Sequence, residues 1–159
     1  AYNADEKELC RLDEIYSAVK TPFEIRSGSE KVTRRFFKIC NNGRESFTGL
    51  YKSLTEQGIC KGHQCIAYGL YMRDNGIELS EGLAVYGYSI CSAIVTNCVK
   101  LVPLSQLAGQ KILGESFELI SSASEKALFT DINDIGISGA GFDLRAMQHE
   151  RLYSRQYMS

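Results

Sequence analysis

Three soft ligands fall within six residues: Cys60, His63 and Cys65, with Gly58 and Gly62 beside them. Thiolate and imidazole are donors that zinc and nickel accept, so metal chemistry could gather here. A structural zinc site uses four ligands at recurring spacing, and no second pair follows. On one helix His63 and Cys65 would stand roughly 200° apart about the axis and would not converge. The three are therefore expected to be packing residues, with a metal site as the alternative. Cys10, Cys40, Cys91 and Cys98 are scattered, and no CxxC occurs. Free thiols in a reducing cytoplasm are the expectation.

Other chemistry is harder to place. The chain has no GxxxxGK[ST], no GxSxG and no HExxH, and Gly136, Gly139 and Gly141 do not fit GxGxxG. With 2 histidines, acid–base catalysis would fall to a perturbed carboxylate, Lys, Tyr or Cys, and no spacing marks one. No Cys sits in sequence beside a His and a carboxylate as a nucleophile would. The expectation is a non-enzyme that binds no cofactor directly, a helical binding or scaffolding protein.

The last residues are rich in interface types. Asp143, Met147, His149, Glu150, Tyr153, Arg155 and Tyr157 follow a Gly-rich connector over 130–142. Tyr and Arg bury area while satisfying hydrogen bonds, and so recur at binding hot spots. The segment 143–159 reads equally as a partner-binding tail or as a helix docked on its own domain.

The elements behind these residues are helical. The 159 residues suit one domain, and 44% hydrophobic with 23% charged is a globular composition. Only 2 Pro leave long stretches free to be helical. Opposing charges nearly balance, 18 against 19, which disfavours nucleic acid as a partner. Basic residues outnumber acidic ones over 21–45, which reads as a solvated helix face.

Asn3 and Glu6 suggest a capping box opening a helix over about 4–20, packed through Leu9, Leu12, Ile15, Tyr16 and Val19. Thr21 as cap and Pro22 at the first helical position open a second, packing Ile25, Val32, Phe36 and Ile39 and weakened at Ser27-Gly28-Ser29. A third covers 45–57 and a short one His63–Arg73. Ser80 can cap the next. Between Glu81 and Lys100 all residues are uncharged, yet four are Ser, Thr or Asn, so a buried central helix is expected rather than a membrane span. Its narrow stripe of Ala84, Gly87, Cys91, Ile94 and Cys98 would admit a neighbouring helix, within the fold or across a dimer axis. Pro103 ends it, and Ser105 starts another that runs to about 128. The fold class is all-α, a bundle of six to seven helices in a single domain spanning 1–159.

These residues resemble a known family. The tail DLRAMQHERLYSRQYMS is similar to the C-terminal signature of the urease accessory protein family UreF, on Asp143, Met147, His149, Glu150, Tyr153, Ser154, Arg155 and Ser159; Gln156 departs from its usual Leu. NCVKLVPLSQLAGQKIL resembles its helix–Pro–helix block, on Val102, Pro103, Leu104, Gly109 and Gln110. GHQCIAYG matches more weakly at Gly62, His63, Tyr68 and Gly69, and TPFEIR at the second helix entry. The likeness is to Helicobacter-type members. A Phe-Pro-Ile-Gly-Ser-like segment of the family is missing, and the chain begins at Ala1, so it is expected to be the C-terminal two-thirds of a member.

The resemblance implies an all-α homodimer without catalytic residues. It implies binding to UreD (UreH in Helicobacter) through the tail and recruitment of the GTPase UreG. Together these partners would act on apo-urease for GTP-dependent nickel insertion. Pro103, Gly109 and Gln110 would lie on the UreG side or be structural, and Gly87 and Cys91 in helix packing or the dimer. No nucleic acid and no membrane enter this scheme, which is cytoplasmic.

Overall fold

The computed structural model describes residues 5–40, 43, 45–136 and 139–153. Eight α-helices occur among them: α1 Glu6–Val19, α2 Phe23–Ile39, α3 Phe47–Glu56, α4 Gln64–Asp74, α5 Leu79–Leu101, α6 Gln106–Glu115, α7 Phe117–Leu128 and α8 Ala140–His149. A 3-10 turn spans Ile132–Asp134, and no strand is found among the described residues, so the all-α expectation holds. Eight helices replace the expected six to seven for two local reasons. The segment after Pro103 breaks at Ser116, whose N–H bonds back to Ile112 while its carbonyl accepts Ile120 N. The start of the tail is itself a helix.

The chain divides into two compact units, Ile77–Ile132 and the remainder. In the first unit to be built, α1 to α4 and α8, two helices, α1 and α3, carry side-chain caps. Asn3 lies outside the described residues; Asp5 caps α1 by accepting Glu8 N at 2.9 Å. Ser46 caps α3 through Gly49 N, and the Asp74 carboxylate accepts Phe47 N and Thr48 N at the same end. A carboxylate there satisfies orphan donors and meets the positive end of the helix dipole.

The core gathers Leu9, Phe37, Tyr51, Leu54, Cys60, Ile66, Ala67 and Leu70. Phe36 stacks on Tyr68 at 4.6 Å and meets Tyr71 edge-on at 5.3 Å. The expected face of α2 is corrected by this packing. Thr33 and Phe37 are buried, while Val32 is exposed and Ile39 is 81% exposed. Ser27-Gly28-Ser29 does not interrupt the helix, and Ser29 Oγ accepts Gln64 N from α4. Pro22 stands at the N-cap itself, one residue earlier in role than expected.

The other unit is a long helix with two shorter ones against it. Val102 caps α5 ahead of Pro103, and Ser105 Oγ caps α6 through Ala108 N at 3.1 Å. The start of α5 is Leu79 after Glu78, so Ser80 lies inside the helix. Two glycines set the approach of its neighbours. A β-carbon on Gly109 would stand 2.7 Å from Val99 Cγ2, and one on Gly87 would stand 3.1 Å from Ile120 Cγ2. Only glycine lets α6 come this close to α5.

The expectation of a buried central helix fails. Gly82 is the one buried residue of α5, and Val85, Ile90 and Ile94 are exposed. Helices α6 and α7 cover part of its circumference and leave the rest open. By length and composition α5 is apolar enough to cross a membrane.

Candidate functional site

The structure separates the three soft ligands by function. Cys60 Sγ lies 3.8 Å from Cys10 Sγ of α1. Cys65 is inside α4, and burial pushes its thiol up to about 11. His63 stands at the N-cap of α4, fully buried, with Nε2 2.7 Å from Ser17 Oγ and its ring 4.5 Å from that of Tyr16. No group of three His, Cys, Asp or Glu that could hold a metal exists among the described residues. The three side chains meet different neighbours, with the positive-φ turn at Gly62 between them.

The same segment is held by a residue that its sequence context conceals. Asp13 of α1 is 2% exposed. Its Oδ1 accepts Lys61 N at 2.7 Å, and its Oδ2 accepts Gly62 N at 3.1 Å and the Tyr51 hydroxyl at 2.5 Å. The Tyr51 oxygen in turn accepts His63 N at 2.8 Å. One carboxylate thus joins α1, α3, the 60–63 turn and the start of α4. Gly62 has φ +88, and a β-carbon there would press within 2.7 Å of Thr55. Glycine is required on both counts.

Burial sets the protonation of this network. Desolvation and the hydrogen bond to Asp13 push the Tyr51 phenol far above its usual range, so it stays a donor. Burial, with the neighbouring Cys65, pushes Tyr16 up to about 12. Burial also pulls His63 below the usual imidazole value, against the opposing pull of Asp13 and Glu30; Arg26 adds to the lowering. Its Nδ1 is buried without a protein partner, so a second ring proton would have nothing to bond. The cluster is an uncharged imidazole and a fastened carboxylate, built to position backbone rather than to react.

In the tail, Glu150 Oε1 accepts Phe23 N at 2.8 Å and His149 Nδ1 lies 2.6 Å from Glu24 Oε2. Both residues therefore cap and clasp the start of α2 in their own chain. Asp143 and Met147 are half-buried on α8. Phe142 and Leu144 are exposed, and Tyr153 is fully exposed. Arg155 and Tyr157 lie outside the described residues. In the helix–Pro–helix block, Gly109 serves the α5–α6 contact while Pro103 and Gln110 are exposed. Gly87 serves the α5–α7 contact, and beside it Cys91 lines an apolar groove of about 550 Å³ with Leu83, Ile90, Leu119 and Ala123.

Two outcomes follow for the Asp13 network. Replacing Tyr51 by Phe leaves Asp13 two donors but orphans His63 N, and should cost about 1–3 kcal/mol in urea unfolding. Asp13→Ala orphans three donors and should cost more, about 3–5 kcal/mol; equal effects would contradict the shared-carboxylate account. The second outcome is a pH dependence. The folded pKa of His63 lies below its unfolded value, so the unfolded chain binds the proton more readily. Its contribution is whole above about pH 6.5 and declines as pH falls below that value. The slope of stability between pH 7 and 5.5 should be reduced in His63→Gln, as melting curves at each pH would record.

Known proteins resemble this chain over most of its length. A family model described as UreF matches residues 1–116. The urease accessory protein UreF of Actinobacillus pleuropneumoniae serotype 5b is 34% identical over 158 residues, covering 99% of this chain and 70% of that protein. The Haemophilus influenzae protein of the same name is 35% identical, covering 95% of this chain and 65% of its own length. That of Paenarthrobacter aurescens is 31% identical, over 93% and 67%. The Gly62-His63 turn, the Gly109 contact and the His149-Glu150 clasp all fall on residues that carried the sequence resemblance, and with identity at this level across nearly the whole chain, the chain belongs to the UreF family of urease accessory proteins.

Proposed function

We propose that this chain scaffolds the complex that delivers nickel to apo-urease, without catalysing a step itself. In this reading it binds UreD/UreH through the tail and recruits the GTPase UreG, whose nucleotide drives the insertion. Nickel and GTP are handled by the complex, and the chain works in the cytoplasm. The observation that carries the reading is the way the tail is presented. His149 and Glu150 fasten α8 to α2, and beyond that clasp Tyr153 is fully exposed. A large aromatic held in water beside exposed Leu152 suits an anchor awaiting a partner pocket. Pro103, Leu107 and Gln110 are exposed together around the start of α6 and are the proposed UreG side.

The proposed homodimer uses the uncovered side of α5. Val85, Tyr88, Ser89, Ser92, Ala93 and Thr96 line one shallow face there. The small side chains among them, Ser89, Ser92 and Ala93, allow two helices to approach closely. Glu81 and Lys100 stand roughly 28 Å apart along the helix at 1.5 Å per residue. An antiparallel two-fold pairing sets Glu81 of one copy beside Lys100 of the other, with Ser89 and Ser92 near the axis.

Ending the chain after Leu152 keeps α8 and its clasp but removes the anchors. Co-purification with UreD/UreH should then fall at least about tenfold, since losing a hot-spot aromatic costs about 2 kcal/mol or more. Undiminished recovery would refute the tail assignment. Ser92→Arg puts an unpaired charge at the proposed axis, and light scattering should show monomer where the unsubstituted chain is dimer.

A further inference from the structure

We propose that Cys10 and Cys60 form a two-thiol modification site that low-molecular-weight disulfides close into an intrachain disulfide. The geometry comes from the Asp13 network. Cys10 and Asp13 are three residues apart on α1 and so share a face. Cys60 immediately precedes Lys61 and Gly62, whose N–H groups are bound to Asp13. The hydrogen bonds that hold the turn on α1 thereby set the two sulfurs 3.8 Å apart, 50 residues apart in sequence. The turn is also anchored through its backbone: Ile59 N and Cys60 N both bond to Leu54 O. A disulfide needs its sulfurs at about 2.05 Å, so closure is a movement of under 2 Å shared between two side chains.

The two thiols differ in role. Cys10 is half-exposed and Cys60 is buried. Burial, the Asp13 carboxylate and Cys10 push the Cys60 thiol up to about 12. Cys10 therefore attacks first. Its thiolate displaces one thiolate from the reagent and leaves a mixed disulfide on Cys10. Cys60 then loses its proton to the released thiolate and attacks the Cys10 sulfur, expelling the second thiol. Overall, two protein thiols and one reagent disulfide become one protein disulfide and two reagent thiols. The protein sulfurs are oxidised and the reagent is reduced.

The test is incubation of the 159-residue chain with glutathione disulfide, followed by thiol titration, peptide mass mapping and melting. Two of the six thiols should disappear, a Cys10–Cys60 cross-linked peptide should dominate, and bound glutathione should be transient. Closure should speed up roughly tenfold per pH unit below the Cys60 value, because the thiolate is the nucleophile. The melting midpoint should rise by on the order of 5–10 °C, and dithiothreitol should reverse it. Cys10→Ser, at the half-exposed position, should abolish the rise without unfolding the chain, and Cys60→Ser should do the same. Glutathione persisting on Cys10 without closure, cross-links among other cysteines, or a lower midpoint on oxidation would each overturn the proposal.

Discussion

A single buried carboxylate organises one of the two units. Asp13 has lost nearly all contact with water, and an ion in that position costs several kcal/mol unless it is fully bonded. Three donors from two separate elements meet it, so the cost is offset only when α1, α3 and the 60–63 turn are all in place. That makes the carboxylate a register device. Apolar packing among Leu9, Leu54, Ile66 and Leu70 tolerates small slips, because dispersion has no direction. A carboxylate with two backbone N–H groups and a phenol on it does not. The Gly62 backbone, the His63 cap and the start of α4 follow from that register.

The other unit is built on the opposite principle. Its described contacts between helices rest on shape, with Gly109 and Gly87 letting α6 and α7 press against α5. Shape can bring helices together without covering them. Eighteen uncharged residues between Glu81 and Lys100 would normally demand burial, yet most of α5 stays open. Ser89, Ser92, Thr96 and Asn97 temper that exposure on the outer face. A face that is apolar, small and only lightly polar is poorly suited to water and well suited to another protein surface.

These two principles decide what could be read from the sequence. Helix placement was legible, because period and caps are local: Leu9 is buried where the spacing put it. Burial of α5 was misjudged because hydropathy states that a face needs cover and not what supplies it. Ser116 ends one helix and opens the next without Gly or Pro, so no breaker marked it. Asp13 was missed because its partners lie 38 to 49 residues away. One signal was present: Asp13 sits on the stripe of Leu9 and Tyr16, and a charge on an apolar stripe asks for a buried partner. The Cys60, His63 and Cys65 spacing carried little information for the converse reason. Proximity in sequence says nothing of direction when a residue with φ +88 stands between the ligands.

The tail shows why interface-rich composition alone leaves two readings open. His149 and Glu150 are as polar as any partner-binding pair, yet both are spent on the first turn of α2. Pro22 brings that turn no side-chain cap, and Glu150 supplies the missing acceptor at Phe23 N. His149 adds a bond to Glu24 beside it. The clasp fixes where the chain leaves α8, so Tyr153 begins its course from a defined place rather than from a free end. In the proposed scheme, fixing that origin would lower the conformational entropy lost when the tail is bound. Part of the signature, His149 and Glu150, therefore bonds to its own chain, directly ahead of exposed Tyr153.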